Sequence, residues 1–294
     1  MEFKIYAVVY VLLLLGFLFV LGPLAIREYL REVKHFQDTG EALERKETRC
    51  GVSTKFVNVA DAIMVLVILL FTGAGVWAQR ETEVVENALP ATEAFNAKIL
   101  LANFGGQMLF IGMVVVLLFW RTSIVDQFGL LIQKYWKKLW WCLIVICGCW
   151  LTIWVTVQSG FYEYVESLKD GNPLQEAVIF LKESDDFTLI FLLAFVACIG
   201  APFSEEVLYR GYIYPVVKHY GGAVFGMFFS GLLFSLIHFN LAGGPALFVM
   251  GVLLALAYEK TRSLWIPVIA HCIFNSFTVV NIAARFNPEH IPDL

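Results

Sequence analysis

Charged residues are scarce in this sequence. Asp, Glu, Lys and Arg make up 16% of the 294 residues, whereas hydrophobic residues make up 59% and the mean hydropathy is +0.73. Soluble domains carry about a quarter charged residues. The net charge is only -4 and the sequence has no lone basic face, so a nucleic-acid partner is not expected. The composition predicts a polytopic membrane protein.

Recognisable metal and disulfide patterns are also absent. The sequence has neither a CxxC pair nor an HExxH motif, and it shows no internal repeat or low-complexity tract. Buried free thiols are the expected state of the cysteines, because five of the six lie inside apolar runs. These five are Cys142, Cys147, Cys149, Cys198 and Cys272.

Most of the sequence consists of long apolar runs. A transmembrane helix needs about 20 apolar residues, and the first run is too long for a signal peptide and lacks a cleavage site. We therefore predict an all-α fold, a polytopic membrane helical bundle of about eight transmembrane helices. The spans are expected near residues 5–26, 56–78, 98–120, 139–158, 187–203, 222–239, 245–259 and 264–283.

The distribution of basic residues predicts the orientation. Lys4 alone precedes the first span, whereas the next loop, residues 27–55, is rich in Lys and Arg. Short loops rich in these residues stay in the cytoplasm, so the N-terminus is predicted outside it. The acidic segment before the fifth span could form a short amphipathic surface helix near residues 173–182.

Polar residues inside the spans are few. Asp61, Asn103 and Gln107 are exceptions in the first four spans, and Asp61, near a span end, is expected to be solvated or paired rather than catalytic. The chemistry concentrates in the C-terminal third. There, the uncharged run 187–203 is followed directly by Ser204-Glu205-Glu206-Val207-Leu208-Tyr209-Arg210.

Helical spacing separates the two adjacent carboxylates. Glu206 and Arg210 are four residues apart and share a helix face, with the acid preceding the base. Glu205 points about 100° away, so it would remain available for proton transfer as a general base or acid. The alternative is that both glutamates simply share the arginine, since ion-pair networks are common around carboxylates.

The next predicted helix supplies a histidine at matching height. The turn between the fifth and sixth spans is expected near residues 220–222, and Glu205 and His238 each lie about 16 residues from it. At about 1.5 Å per residue, both would lie ~24 Å from the turn of an antiparallel hairpin. A row of small residues, Gly222, Gly226 and Ser230, would let the two helices approach closely.

The last span adds a second polar pair. His271 and Asn275 are four residues apart and share a helix face. Two hydrogen-bond donors on one face are suited to stabilising an oxyanion. Alternatively, Asn275 only orients His271 within a helix interface.

Three motifs together resemble a known family. Glu-Glu-x-x-x-Arg at 205–210, Phe-x-x-x-His at 234–238 and His-x-x-x-Asn at 271–275 look like the signatures of the CPBP intramembrane proteases. That family includes the CAAX prenyl endopeptidases of the Rce1 type and bacterial proteins related to bacteriocin self-immunity. The resemblance covers roughly residues 187–283. It divides the chain into an N-terminal membrane region, 1–186, with about four helices and an extramembrane segment, and a catalytic helical core, 187–294.

The resemblance implies an intramembrane endopeptidase without a cofactor. Glu205 and His238 would activate a water, His271 and Asn275 would form the oxyanion hole, and Glu206 and Arg210 would support Glu205. The implied partners are the lipid bilayer and a peptide or protein substrate, with C-terminal lipid modification as a family analogy.

Two other readings remain open at this stage. A zinc metalloprotease of the same family could use Glu205, His238 and His271 as ligands, although a nearby Arg210 would oppose a dication. A non-catalytic transporter or bacteriocin-immunity binding protein could also place His and Glu within the membrane. A proton path would spread polar residues over several spans, whereas here they cluster.

Overall fold

The computed structural model describes residues 2–43, 51–86, 97–131, 136–167 and 187–286, and within these ranges all regular structure is helical. The predicted surface helix near residues 173–182 lies outside them. Two long helices contain π-helical segments: α1 comprises Glu2–Gly16, Phe17–Leu21 (π) and Gly22–Thr39, and α7 comprises Phe187–Phe195, Val196–Gly200 (π), Ala201–Glu206, Val207–Ile213 (π) and Tyr214–Gly221. The others are α2 (Val59–Glu86), α3 (Ala97–Phe119), α4 (Ile124–Phe128), α5 (Trp140–Gln158), α6 (Phe161–Glu166), α8 (Ala223–Leu236), α9 (Gly244–Thr261) and α10 (Trp265–Phe286).

The predicted fold class is confirmed. Within the described ranges, four helices are long and apolar enough to cross a membrane, and four shorter apolar helices accompany them, so each predicted span corresponds to an apolar helix. The protein is an all-α integral membrane protein. Helix α7 continues beyond the predicted fifth span without a break, over 35 residues from Phe187 to Gly221, and ends at the turn expected near residues 220–222.

Prolines explain where π-helical segments interrupt the two long α-helices. Each π segment ends two residues before a proline, and these prolines are Pro23, Pro202 and Pro215. A proline inside a helix donates no backbone hydrogen bond, and its ring clashes with the carbonyl four residues earlier. In all three cases that carbonyl lies inside the π segment, where the widened turn accommodates it.

Buried polar contacts join the helix ends at one face of the bundle. The Lys218 ammonium lies 2.7 Å from Glu259, and His219 lies 2.9 Å from Glu28. Lys218 also donates to the carbonyl of Val52. These contacts bring together the C-terminal halves of α1, α7 and α9 and the loop before α2. That face carries the loop predicted to be cytoplasmic.

Asp61 is paired, as the sequence indicated. Its side chain is 1% exposed and accepts two hydrogen bonds from Arg121, which follows α3, and one from the hydroxyl of Tyr212 on α7. The hydrogen bond to Asp61 is the main reason that the pKa of Arg121 is raised. The cluster ties α2, α3 and α7 together near the same face.

The cysteines bear out part of the expectation. The five cysteines in apolar runs are all free, and Cys142 and Cys149 are buried. Cys147 is exposed on the outside of α5. A face turned to lipid is as apolar as a core, so hydropathy could not separate the two environments.

Helices α8 and α9 cross at a contact between two glycines. A Cβ atom built on Gly251 would lie 2.6 Å from the Cα of Gly231, and one on Gly231 would lie 2.9 Å from the backbone nitrogen of Val252. Small residues of this kind allow helix backbones to touch in membrane proteins. The crossing fixes α9 against α8, and through α8 against the glutamate-bearing part of α7.

We expect Gly251→Leu to destabilise the protein strongly. A leucine there must push the α8 backbone away, and overpacking a tight contact typically costs about 1–3 kcal/mol. Thermal melting in detergent, followed by size-exclusion chromatography, measures the effect. Gly105 on α3 has open space around it, so Gly105→Leu is the matched control and should leave the melting temperature almost unchanged. Equal loss in both variants would contradict the packing argument.

Helix α8 is short for a membrane-spanning helix. Its 14 residues span only ~21 Å at about 1.5 Å per residue, less than the ~30 Å hydrocarbon core. The helix thus occupies only part of the predicted span at 222–239. The chain turns back at residues 237–243, at the height of the glutamate pair, before α9 begins. Irregular backbone at such depth is tolerated only where protein or a cavity covers it.

Candidate active site

The glutamate pair lies between two π segments of α7. Glu205 and Glu206 belong to the short stretch Ala201–Glu206, which has π-helical turns on either side. Such turns are frequent at functional sites because they leave backbone groups free and re-aim side chains. Pro202 and Pro215 account for these two π segments, because each proline lies two residues after the end of one of them.

Glu206 and Arg210 form a completely buried ion pair. Arg210 Nη1 lies 2.8 Å from Glu206 Oε1, and both side chains are 0% exposed. The guanidinium also donates to the carbonyl oxygen of Gly251 at 3.2 Å and lies 4.7 Å from the ring centre of Phe234. The predicted pairing is confirmed. The Arg210 guanidinium contacts α9 and α8 as well as its own helix.

His271 connects the two glutamates. Its Nδ1 lies 2.9 Å from Glu206 Oε1, and its Nε2 lies 3.8 Å from Glu205 Oε2. Because a carboxylate only accepts, Nδ1 carries the hydrogen, which fixes the ring orientation and turns Nε2 towards Glu205. Sequence reasoning placed His271 beside Asn275; the bond to Glu206 was not anticipated, because it joins residues 65 positions apart.

His238 follows the C-terminal end of α8, as the hairpin argument required. The ring packs 4.7 Å from the ring of Phe234, which itself lies 5.6 Å from His271. Its Nδ1 donates to the carbonyl of Phe234 at 2.7 Å, so in the neutral ring Nε2 is an acceptor. Phe234 also contacts Tyr209 edge to face at 5.5 Å. The hairpin therefore brings His238 to the level of the glutamates.

Asn275 caps a carbonyl that the π segment releases. Its Nδ2 donates to the oxygen of Ala197 at 2.9 Å, inside the segment Val196–Gly200. The amide thus joins α10 to α7 about two turns before Glu205. The second hydrogen of the same amino group remains available for another acceptor.

An apolar cavity of about 350 Å³ opens beside Glu205. Helices α2, α3 and α7 and the turn after α8 form its walls. Phe239, in that turn, has a backbone φ of 46°, an uncommon value for a residue other than glycine and one often found near functional sites. The lining residues are Phe71, Thr72, Gly75, Gln107, Phe110, Ser204, Glu205, Leu208, Tyr209, Ile237 and Phe239.

The donor arrangement does not suit a zinc ion. Among the residues that the structure describes, no group of three or more His, Cys, Asp or Glu is placed to hold a metal. Oε1 of Glu206 and Nδ1 of His271 are hydrogen-bonded to each other, and Arg210 adds a positive charge next to them. The three ligands of the zinc alternative, Glu205, His238 and His271, do not form such a group.

The fold and the site define a class: a membrane protein with a buried acid–histidine cluster beside an apolar cavity. In the comparison with known proteins, the matches fall in the region that contains this site. The sequence model of the family described as type II CAAX prenyl endopeptidase Rce1-like matches residues 187–277. This segment contains all six predicted site residues, and the predicted resemblance to the CPBP proteases is confirmed over it.

Two curated bacterial relatives match a similar portion. Membrane-embedded CAAX protease MroQ of Staphylococcus aureus (strain USA300) is 35% identical over 103 residues, which is 32% of this chain and 40% of MroQ. YdiL of Bacillus subtilis (strain 168), described as a candidate membrane peptidase, is 28% identical over 89 residues, 30% of this chain and 36% of YdiL. The chain thus matches less than half the length of either relative. No solved structure matches significantly.

Proposed function

We propose that this protein is an intramembrane endopeptidase in which Glu205 activates the attacking water. The observation that carries the proposal is that the two adjacent carboxylates have different surroundings. Glu206 is fully buried and bound to Arg210 and His271, whereas Glu205 lies on the wall of the cavity. A general base must reach the proton that it removes, and Glu205 is the carboxylate with that access.

The neighbouring side chains support specific roles. A gap of 3.8 Å separates Glu205 Oε2 from His271 Nε2, so one water can contact both atoms. Glu205 would accept a proton from that water while the water oxygen attacks the carbonyl carbon of the substrate. His238 would accept a hydrogen bond from the same water at its Nε2. Asn275 would donate to the developing oxyanion, and His271 would donate to it from Nε2 in its doubly protonated form, because its Nδ1 already donates to Glu206. Glu206 and Arg210 would hold the ring of His271 in place.

The proposed substrate is a peptide that enters from the bilayer. The cavity of about 350 Å³ is at the small end of ligand pockets, which measure roughly 300–1,000 Å³. It therefore suits a short stretch of peptide around the scissile bond. Since MroQ is named a CAAX protease, we include a C-terminal lipid on the substrate in the proposal; such a chain would lie outside the cavity, among the bilayer lipids.

Peptide cleavage by purified protein tests this function. Internally quenched peptides, with and without an S-farnesyl cysteine near the C-terminus, are incubated with protein in proteoliposomes. We expect cleavage of at least one apolar peptide, with mass spectrometry locating the cut. If the folded protein cleaves nothing across a broad panel, the endopeptidase proposal fails and a binding or transport role takes its place.

We expect hydrolysis to proceed without a bound metal ion. Treatment with a strong chelator such as 1,10-phenanthroline should leave kcat/KM within about twofold of its untreated value, because water activation is assigned to Glu205. Elemental analysis of the purified protein should give far less than one zinc per chain. The non-chelating isomer 1,7-phenanthroline controls for inhibition by the aromatic compound itself. Activity lost with the chelator and restored by zinc alone would establish the metalloprotease instead.

A further inference from the structure

Gln107 is a polar side chain in the cavity wall that no motif accounts for. It belongs to α3, outside the family-matched segment, yet it lines the same cavity as Glu205. Its carboxamide oxygen lies 2.8 Å from the hydroxyl of Ser204, the residue preceding Glu205. Gln107 is therefore held beside the glutamate by a contact between α3 and α7.

One end of the Gln107 carboxamide lacks a partner among the residues that the structure describes. Ser204 has one hydroxyl hydrogen but two acceptors at 2.8 Å, Gln107 and the carbonyl of Ala201. If the hydroxyl donates to Gln107, the amino group of Gln107 is left over. If it donates to Ala201, the carboxamide turns to donate to Ser204, and its oxygen is left over. Either way, an unused hydrogen-bonding group remains.

The hydroxyl of Thr72, which also lines the cavity, is already engaged. The hydroxyl of Thr72 donates to carbonyls of its own helix at 2.9 and 3.0 Å and meets the hydroxyl of Tyr10 at 3.0 Å. Tyr209 is only 2% exposed. The remaining wall is apolar, including Phe71 and Phe110, whose rings meet at 5.6 Å. A peptide group entering this cavity needs a hydrogen-bond partner, because an unsatisfied backbone group in apolar surroundings is unfavourable.

We propose that Gln107 is a substrate-binding residue that hydrogen-bonds the main chain of the peptide beside the scissile bond. The inference rests on the proposed endopeptidase function. A carboxamide matches a peptide group in both donor and acceptor, so it recognises backbone rather than a particular side chain. Selectivity for apolar neighbours of the scissile bond is then left to the aromatic rings around it.

A chemical double-mutant cycle tests the contact. Gln107→Met keeps the size of the side chain but removes both hydrogen-bonding groups, and kcat/KM for the best cleaved peptide should fall at least tenfold. In parallel, each peptide bond flanking the cut is replaced by an ester in turn. At one position, the ester should lower kcat/KM at least tenfold with the wild-type protein and less than twofold with Gln107→Met. Such loss of additivity identifies a direct contact.

Controls separate this inference from the function on which it rests. Gln158→Met alters an exposed glutamine at the end of α5 and should leave kcat/KM unchanged. Should Gln107→Met fail to fold, Gln107→Glu retains the shape but exchanges the amide for a carboxylate, and it should also lose at least tenfold. The inference is overturned if Gln107→Met keeps activity within twofold, or if every ester has the same effect in both proteins. Cleavage that still requires Glu205 would then leave the endopeptidase intact.

Discussion

Glu205→Gln is expected to abolish measurable turnover while leaving the protein folded. The glutamine has almost the same size and can keep contact with the cavity, but it cannot accept the proton of the attacking water. General base catalysis typically contributes about 10²- to 10⁴-fold, so kcat should fall by at least two orders of magnitude. Initial rates in proteoliposomes measure this loss, and thermal melting confirms that the fold is retained.

The matched control for this variant is another glutamate. Glu163 on α6 is exposed and lies outside the site, so Glu163→Gln should cleave at the wild-type rate. Retention of more than a third of the wild-type kcat in Glu205→Gln would rule out Glu205 as the base. An equal loss of folded protein would instead point to a structural role.

Arg210→Met is expected to have the largest effect on stability. It leaves the fully buried Glu206 carboxylate without its cation, and breaking a buried ion pair by removing one partner costs about 3–5 kcal/mol. The hydrogen bond to Gly251 and the contact with Phe234 are lost too. The melting temperature in detergent, with fluorescence-detected chromatography of fresh extracts, measures the change. Arg31→Met, at an exposed site on α1, is the control.

A second substitution distinguishes unpaired charge from lost packing. Adding Glu206→Gln removes the buried negative charge but leaves an amide oxygen to accept from Nδ1 of His271. The double variant Glu206→Gln/Arg210→Met should therefore recover most of the stability that Arg210→Met loses. If it is as unstable as the single variant, Arg210 contributes mainly through packing against α8 and α9.

Local spacing predicted much of the site. Glu206 and Arg210 lie four residues apart on one helix, and the structure pairs them as the spacing required. The count from the turn between α7 and α8 likewise placed His238 at the level of the glutamates. Close approach along the small-residue row is confirmed at Gly226, where a Cβ atom would lie 3.1 Å from the backbone nitrogen of Lys218. These features depend on helical geometry alone.

Contacts between helices that are far apart in the sequence could not be predicted from local spacing. The bond from His271 to Glu206 and the cavity contact of Gln107 with Ser204 depend on how α10 and α3 pack against α7. Hydropathy also predicted a span, 222–239, that is longer than α8, because hydropathy does not mark where a helix ends. The π segments did leave a signal in the sequence: three prolines inside apolar runs, at 23, 202 and 215.

The early end of α8 bears on how much of the chain the proposed activity would need. The turn after it would expose backbone groups to lipid unless something covered them, and Tyr6 of α1 packs against Phe239 there, with ring centres 5.8 Å apart. The cavity beyond that turn is closed by α2 and α3. A fragment limited to residues 187–277 would retain the motifs but not the cover over the turn or the outer wall of the cavity. Modular transfer of this region to another membrane scaffold would therefore require α1 to α3 as well.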